Sequence, residues 1–190
     1  MAAATGNEAG RSWSGWRLAP WLGAAALLSV PALAMRFAPR AGFDWSAADF
    51  AVMGAMLAIA CGAFELAMRA SAGTAYRLGA LAALGTGFVT LWANLAVGLV
   101  GDEGNPANLL FVGVLAFAAA GALVAGRSSA AIAKAMLATA LVQLAAAGAA
   151  FALTPAAAGR GAEMVALLGI FPAGWLASAW LFRRSARVTK

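Results

Sequence analysis

Charged residues along this chain fall in short clusters, and long stretches free of Asp, Glu, Lys and Arg lie between them. Those stretches are Leu18 to Met35, Phe50 to Phe64 (continuing past Glu65 to Met68), Leu78 to Gly101, Gly104 to Gly126, Ala135 to Gly159 and Met164 to Phe182. A bilayer core of ~30 Å is crossed by ~20 apolar residues in a helix. Each stretch is therefore a candidate span, and no alternating strand pattern of a β-barrel is present. The expected fold class is all-α, a polytopic membrane helical bundle of six transmembrane helices. The expected organisation is a cytoplasmic N-terminal segment 1–17, a single six-helix domain over 18–182 and a basic cytoplasmic tail 183–190.

Composition agrees with this and narrows the chemistry. Hydrophobic residues make up 64% of the chain against 11% charged, where a soluble domain runs nearer half and a quarter. Mean hydropathy is +0.85. Histidine is absent and the only cysteine is Cys61. That excludes bis-histidine haem, His/Cys zinc sites, a Ser-His-Asp triad and an internal disulfide. General acid-base chemistry would fall to Asp49, Glu65, Asp102, Glu103 and Glu163. It needs such groups to converge, whereas the spans put Glu65 near the inner face and Asp102 and Glu103 at the outer one. The sequence thus reads as a protein without catalytic activity, cofactor or metal.

Basic residues give an orientation, because cytoplasmic loops carry excess Lys and Arg. With six spans, one side holds Arg11, Arg17, Arg69, Arg77, Arg127, Lys134, Arg183, Arg184, Arg187 and Lys190, and the other holds Arg36, Arg40 and Arg160. Both termini lie on the richer side, which predicts a multi-pass protein of the bacterial inner membrane with N and C termini in the cytoplasm. Trp16, Trp21 and Trp180 then fall near the inner interface and Trp45 near the outer one. The first span also ends Ala32-Leu33-Ala34, a sequence suited to signal peptidase. Its eighteen residues are long for a signal segment, and the reading adopted is a retained first helix. The net charge of +6 follows from the orientation rule, and no basic patch with interleaved aromatics suggests nucleic acid.

Polar groups inside the spans are the candidate site. Glu65 precedes Arg69 by four residues, the spacing of a helical ion pair near the inner interface; the other reading is a proton or cation relay. Thr86, Thr90 and Asn94 recur every four residues and form one polar face on the third span, with Gly98 extending the row. Gln143 falls near the middle of the fifth. Two readings stay open for these groups: interhelical hydrogen bonds of ~1 kcal/mol each, or the lining of a narrow polar path. In the outer loop, Asn105 suits a helix N-cap and Pro106 the first helical position. Asp102, Glu103, Asn105 and Asn108 are also the oxygen donors of an alternative weak site for a hard cation, without calcium-loop spacing.

Small residues at four-residue spacing predict close helix packing: Gly54, Ala58 and Gly62; Ala118, Ala122 and Gly126; Ala140, Leu144 and Gly148; Gly169, Ala173 and Ala177. Pro172 is expected to kink the sixth span.

Several segments look familiar: Asp44-Trp45, Phe64-Glu65-Leu66, Thr74-Ala75-Tyr76-Arg77 and Ala179-Trp180-Leu181-Phe182-Arg183-Arg184. The strongest runs from Trp92-Ala93-Asn94-Leu95-Ala96-Val97-Gly98 through Gly101-Asp102-Glu103 to Asn105-Pro106-Ala107-Asn108. Together they resemble an uncharacterised family of small bacterial inner-membrane proteins, over roughly Phe43 to Arg187. The resemblance implies a membrane location and a role for Asn94 and the Asp102 to Asn108 loop. It implies no activity, and the family's members begin near Trp45, without the first helix. The function expected is an accessory, assembly or partner-binding subunit, in contact with the lipid bilayer and with other membrane chains or a second copy. The alternative is a small-solute or ion transporter or channel using polar groups on spans two, three and five.

Overall fold

A computed structural model of the chain describes residues 6–38, 40, 42, 44–71, 73–154, 161 and 165–188, with backbone alone for 6–17 and 188. The expected span ends at Gly159 and Met164, together with Arg160 and Lys190, lie outside the described residues. Among the described residues the chain is helical without strands, and six helices are long and apolar enough to cross a membrane. Their α-helical parts are α1 Gly6–Phe37, α2 Ala47–Ala70, α3 Thr74–Ala96, α4 Leu109–Ala125, α5 Ser129–Leu153 and α6 Phe171–Val188. A 3-10 turn, Pro106–Asn108, leads into α4, and a π-helical turn, Ala166–Ile170, leads into α6.

Contacts divide the chain into two units, Met1–Leu66 and Ala67–Lys190. In the first, α1 and most of α2 form a hairpin. Cys61 Sγ lies 3.5 Å from the Pro20 carbonyl, and Gly54 faces Leu28 at 3.7 Å from the position a Cβ would take. The start of α2 is fixed by a reciprocal cap. The carboxylate of Asp49 accepts from Ser46 N–H at 2.7 Å, and Asp49 N–H donates to Ser46 Oγ at 3.3 Å. Trp45 and Phe50 meet edge to face with centroids 5.2 Å apart, the apolar clasp that often accompanies such a cap.

In the second unit α6 packs against both α3 and α5, and α4 lies along α5. Two apolar clusters form its core. One, at the end of the 97–108 loop, gathers Leu99, Val100, Phe111, Val114, Ala147, Leu167 and Phe171. The other gathers Tyr76, Ile132, Met136, Trp175 and Phe182, with Tyr76 and Phe182 edge to face at 5.0 Å. Beyond this second cluster lies the basic end. There Arg127 donates to the Ala70 carbonyl at 3.0 Å, Arg77 Nε to the Ser71 carbonyl at 3.1 Å, and the hydroxyls of Ser129 and Ser185 are 3.3 Å apart.

Some boundaries differ from the charge-free stretches, each for a local reason. α3 stops at Ala96 rather than Gly101, because Gly98 takes a φ of +72° and the chain leaves the helix. α5 begins at Ser129 rather than Ala135, since Ser128 Oγ accepts from Ala131 N–H and Lys134 is simply an exposed helical residue. Just before Pro172, where a kink is expected, the helix widens into a π turn in which Phe171 N–H reaches back five residues to the Ala166 carbonyl. Such a turn absorbs the donor that proline lacks.

The small-residue stripe of the sixth span also faces elsewhere than toward a neighbour in this chain. Gly169, Ala173 and Ala177 are exposed, while Phe171, Trp175 and Phe182 are buried. Large rings bury far more area than a methyl group, so they decide which face of the helix turns in. Close approach occurs instead one position on, at Gly174, where a Cβ would overlap Thr86 Oγ1.

Candidate functional site

The 97–108 loop is organised by Asn108. Its Oδ1 accepts from the N–H groups of Leu99 and Val100, both at 2.9 Å, and its Nδ2 donates to the Asp102 carbonyl at 2.7 Å. Its own carbonyl accepts from Asn94 Nδ2 at 3.3 Å. One buried amide thus supplies the partners that the backbone lost when α3 ended early, which buried backbone groups require. Gly98 makes the turn possible, since a Cβ there would overlap the Asp102 carbonyl group. Asn105 Oδ1 accepts from Ala107 N–H at 3.0 Å, Pro106 takes the first position of the 3-10 turn, and Asn105 Nδ2 lies 3.4 Å from Thr154 Oγ1. The amide oxygens of Asn105 and Asn108 are both turned to backbone N–H groups. Asp102 and Glu103 are exposed. No group of three His, Cys, Asp or Glu suited to a metal ion occurs among the described residues.

The polar groups of the spans lie between the two apolar clusters. Thr90, Thr139, Gln143 and Ser178 are each 0% exposed. α5 and α6 run antiparallel from the Ser129–Ser185 contact, so Gln143 lies level with Phe171 and Thr139 level with Trp175. On the other side of α6, Ser178 Oγ donates to the Gly79 carbonyl at 2.8 Å, Thr86 abuts Gly174, and Gly87 faces the Trp175 ring at 3.6 Å. The same counting places Thr90 level with Gln143, and Thr86 level with Thr139. Gln143 is ~21 Å along α5 from Ser129, at ~1.5 Å per residue. Thr86, Thr90 and Asn94 do form the expected row on α3, with Asn94 one turn above Thr90.

The hydroxyls at this level are already used as donors. Thr86, Thr90 and Thr139 each donate to the carbonyl four residues back, at 2.7, 2.7 and 2.9 Å. Their oxygens retain acceptor capacity. Among the described residues, four further buried atoms have no hydrogen-bond partner: Asn94 Oδ1, Gln143 Nε2, Gln143 Oε1 and Trp175 Nε1. Thr139 and Trp175 escaped the sequence reading. Thr139 was visible as the residue four before Gln143. Trp175 was not, because its indole N–H matters only through its depth. Glu65 is half-buried on α2, and it and Arg69 are both engaged rather than free.

No known family, curated protein or solved structure matches this chain.

Proposed function

We propose that this chain is a non-catalytic subunit of a membrane assembly, held in the bacterial inner membrane with both termini in the cytoplasm. It would bind another membrane chain, or a second copy, through the α1–α2 hairpin. The observation that carries this reading is how little of the hairpin is buried. Of their most apolar windows, α1 buries 6% and α2 buries 17%, against 39% for the last span. On α2 the small-residue row continues past Gly54 to Ala58, which is exposed, and Gly62, which has nothing within 4 Å of its Cβ position. Without hydrophobic drive in lipid, helices associate where small residues let backbones approach. The absence of histidine and the single cysteine in the sequence support a role without catalysis.

A photocrosslinking residue at Ala58 or Gly62, in native membranes, tests this. Expected is one discrete adduct, to a single partner or to a second copy, that Ala58→Leu weakens without lowering the melting temperature. The same probe at Val124, 90% exposed on α4, should give none. Equal, diffuse labelling from both helices would overturn the proposal. The second reading, a small-solute or ion path, draws on the unpartnered amide of Gln143. It predicts a solute permeability in proteoliposomes that Gln143→Leu abolishes.

A further inference from the structure

We propose that the Gln143 level of the α3–α6 bundle is a binding site for internal water. It lies between the two apolar clusters and links α3, α5 and α6. This inference does not depend on the accessory role.

Three observations carry it. Gln143 is wholly buried, yet neither end of its amide meets a protein partner. An amide in that state is costly in a protein interior, and natural interiors satisfy such groups by protein or by ordered water. The unpartnered atoms are also complementary in kind. Gln143 Nε2 and Trp175 Nε1 can only donate, while Gln143 Oε1 and Asn94 Oδ1 can only accept. The hydroxyl oxygens of Thr90, level with Gln143, and of Thr139, one turn from it on α5, are spent as donors and add acceptors. A molecule that bridges such a set must both donate and accept, and water does both. Finally, the surroundings set its size. Beside Gln143 the helix presents Ala140, Ala146 and Ala147, all buried and small, while on α6 Phe171 lies at the same level and the buried Leu167 and Trp175 lie one turn to either side. Small side chains beside the amide and large ones on the neighbouring turns suit a ligand as small as water.

Gln143 is the only glutamine in the chain, which gives the test a unique handle. The full-length protein, labelled with ¹⁵N at glutamine alone and placed in lipid nanodiscs, should show one side-chain amide pair. Expected are short-range magnetisation transfers from water protons to that pair. Transfer from lipid acyl protons instead, or from protein protons only, would overturn the proposal. A second measurement is the melting temperature of Gln143→Met, which keeps the volume and removes the polar ends. With water bridging Gln143 to Trp175 and Asn94, that variant strands the other partners and the melting temperature falls by a few degrees. A rise would show a dry, unsatisfied amide and also overturn the proposal. Should Gln143→Met fail to fold, the wild-type spectrum decides alone.

Discussion

At the scale of single residues, one amide in the 97–108 loop carries more than its neighbours. Asn108 satisfies two buried backbone donors, those of Leu99 and Val100, and Asn105 satisfies one, at Ala107. A buried donor left unpaired costs ~1–3 kcal/mol, so Asn108→Ala should cost about 3 kcal/mol. Asn105→Ala removes a cap worth ~1 kcal/mol, and Asn105→Asp keeps the accepting oxygen and should be nearly neutral. Unfolding by SDS titration in mixed micelles orders the three, and equal costs for the two alanine variants would contradict the roles assigned here. Because both amide oxygens face backbone N–H groups, added Ca²⁺ should leave the melting temperature unchanged. A rise that Asp102→Asn removes would give these oxygens to a cation instead. The cap was legible in the sequence, since Asn-Pro before an apolar run is a local signal. The role of Asn108 was not: its oxygen closes a loop back to residues eight and nine positions earlier, and no local pattern announces that.

At the scale of elements, packing depends on where glycine meets a neighbour rather than on how many small residues a helix holds. Gly174 is pressed against Thr86, whereas Gly148 and Gly169 have nothing within 4 Å of a Cβ position. The same substitution should therefore change sign along the chain. Gly148→Ala should stabilise by up to ~1 kcal/mol, the helix propensity gained in an open position. Gly174→Ala should destabilise, because α6 must move off α3 or Thr86 must leave its rotamer, and overpacking of this kind typically costs ~1–3 kcal/mol. The same micelle titration reads both, and a stabilising Gly174→Ala would mean that the α3–α6 contact is looser than described. The existence of six helices was fully legible from the apolar stretches, but their facing was not. A helix apolar all round carries no moment to mark its inner side, so the four-residue row at Gly169, Ala173 and Ala177 was as visible as the contact face. Likewise Val97 to Val100 are apolar and charge-free, and nothing in composition separates a span from a buried loop. The polar row on α3 and Gln143 on α5 were legible as inward-facing because exposed amides are costly in lipid. Their shared depth needed the structure.

At the scale of the whole molecule, the end of the second unit that carries the Arg127–Ala70 and Ser129–Ser185 contacts gathers Arg77, Arg127, Lys134, Arg183, Arg184 and Arg187. Its opposite end carries the acidic loop, where Asn105 meets Thr154. This segregation is what the orientation rule acts on: Lys and Arg in short loops resist translocation, while Asp and Glu contribute little. A reporter enzyme fused after Lys190 should therefore report the cytoplasm, and one inserted between Asp102 and Asn105 the periplasm. The charges, rather than the helices, are predicted to set the outcome. Replacing Arg183, Arg184 and Arg187 together by alanine leaves seven basic residues against three by the sequence count, from the original ten. Orientation should survive that change, since the majority remains on the same side. Placing three arginines in the Asp102 to Asn105 loop of this variant and adding Arg127→Ala gives six against six. There, mixed topology is expected in both reporters. A Lys190 fusion that reports the periplasm in the unaltered chain would sink the orientation and, with it, the proposed cytoplasmic termini. The six membrane-length helices themselves would stand.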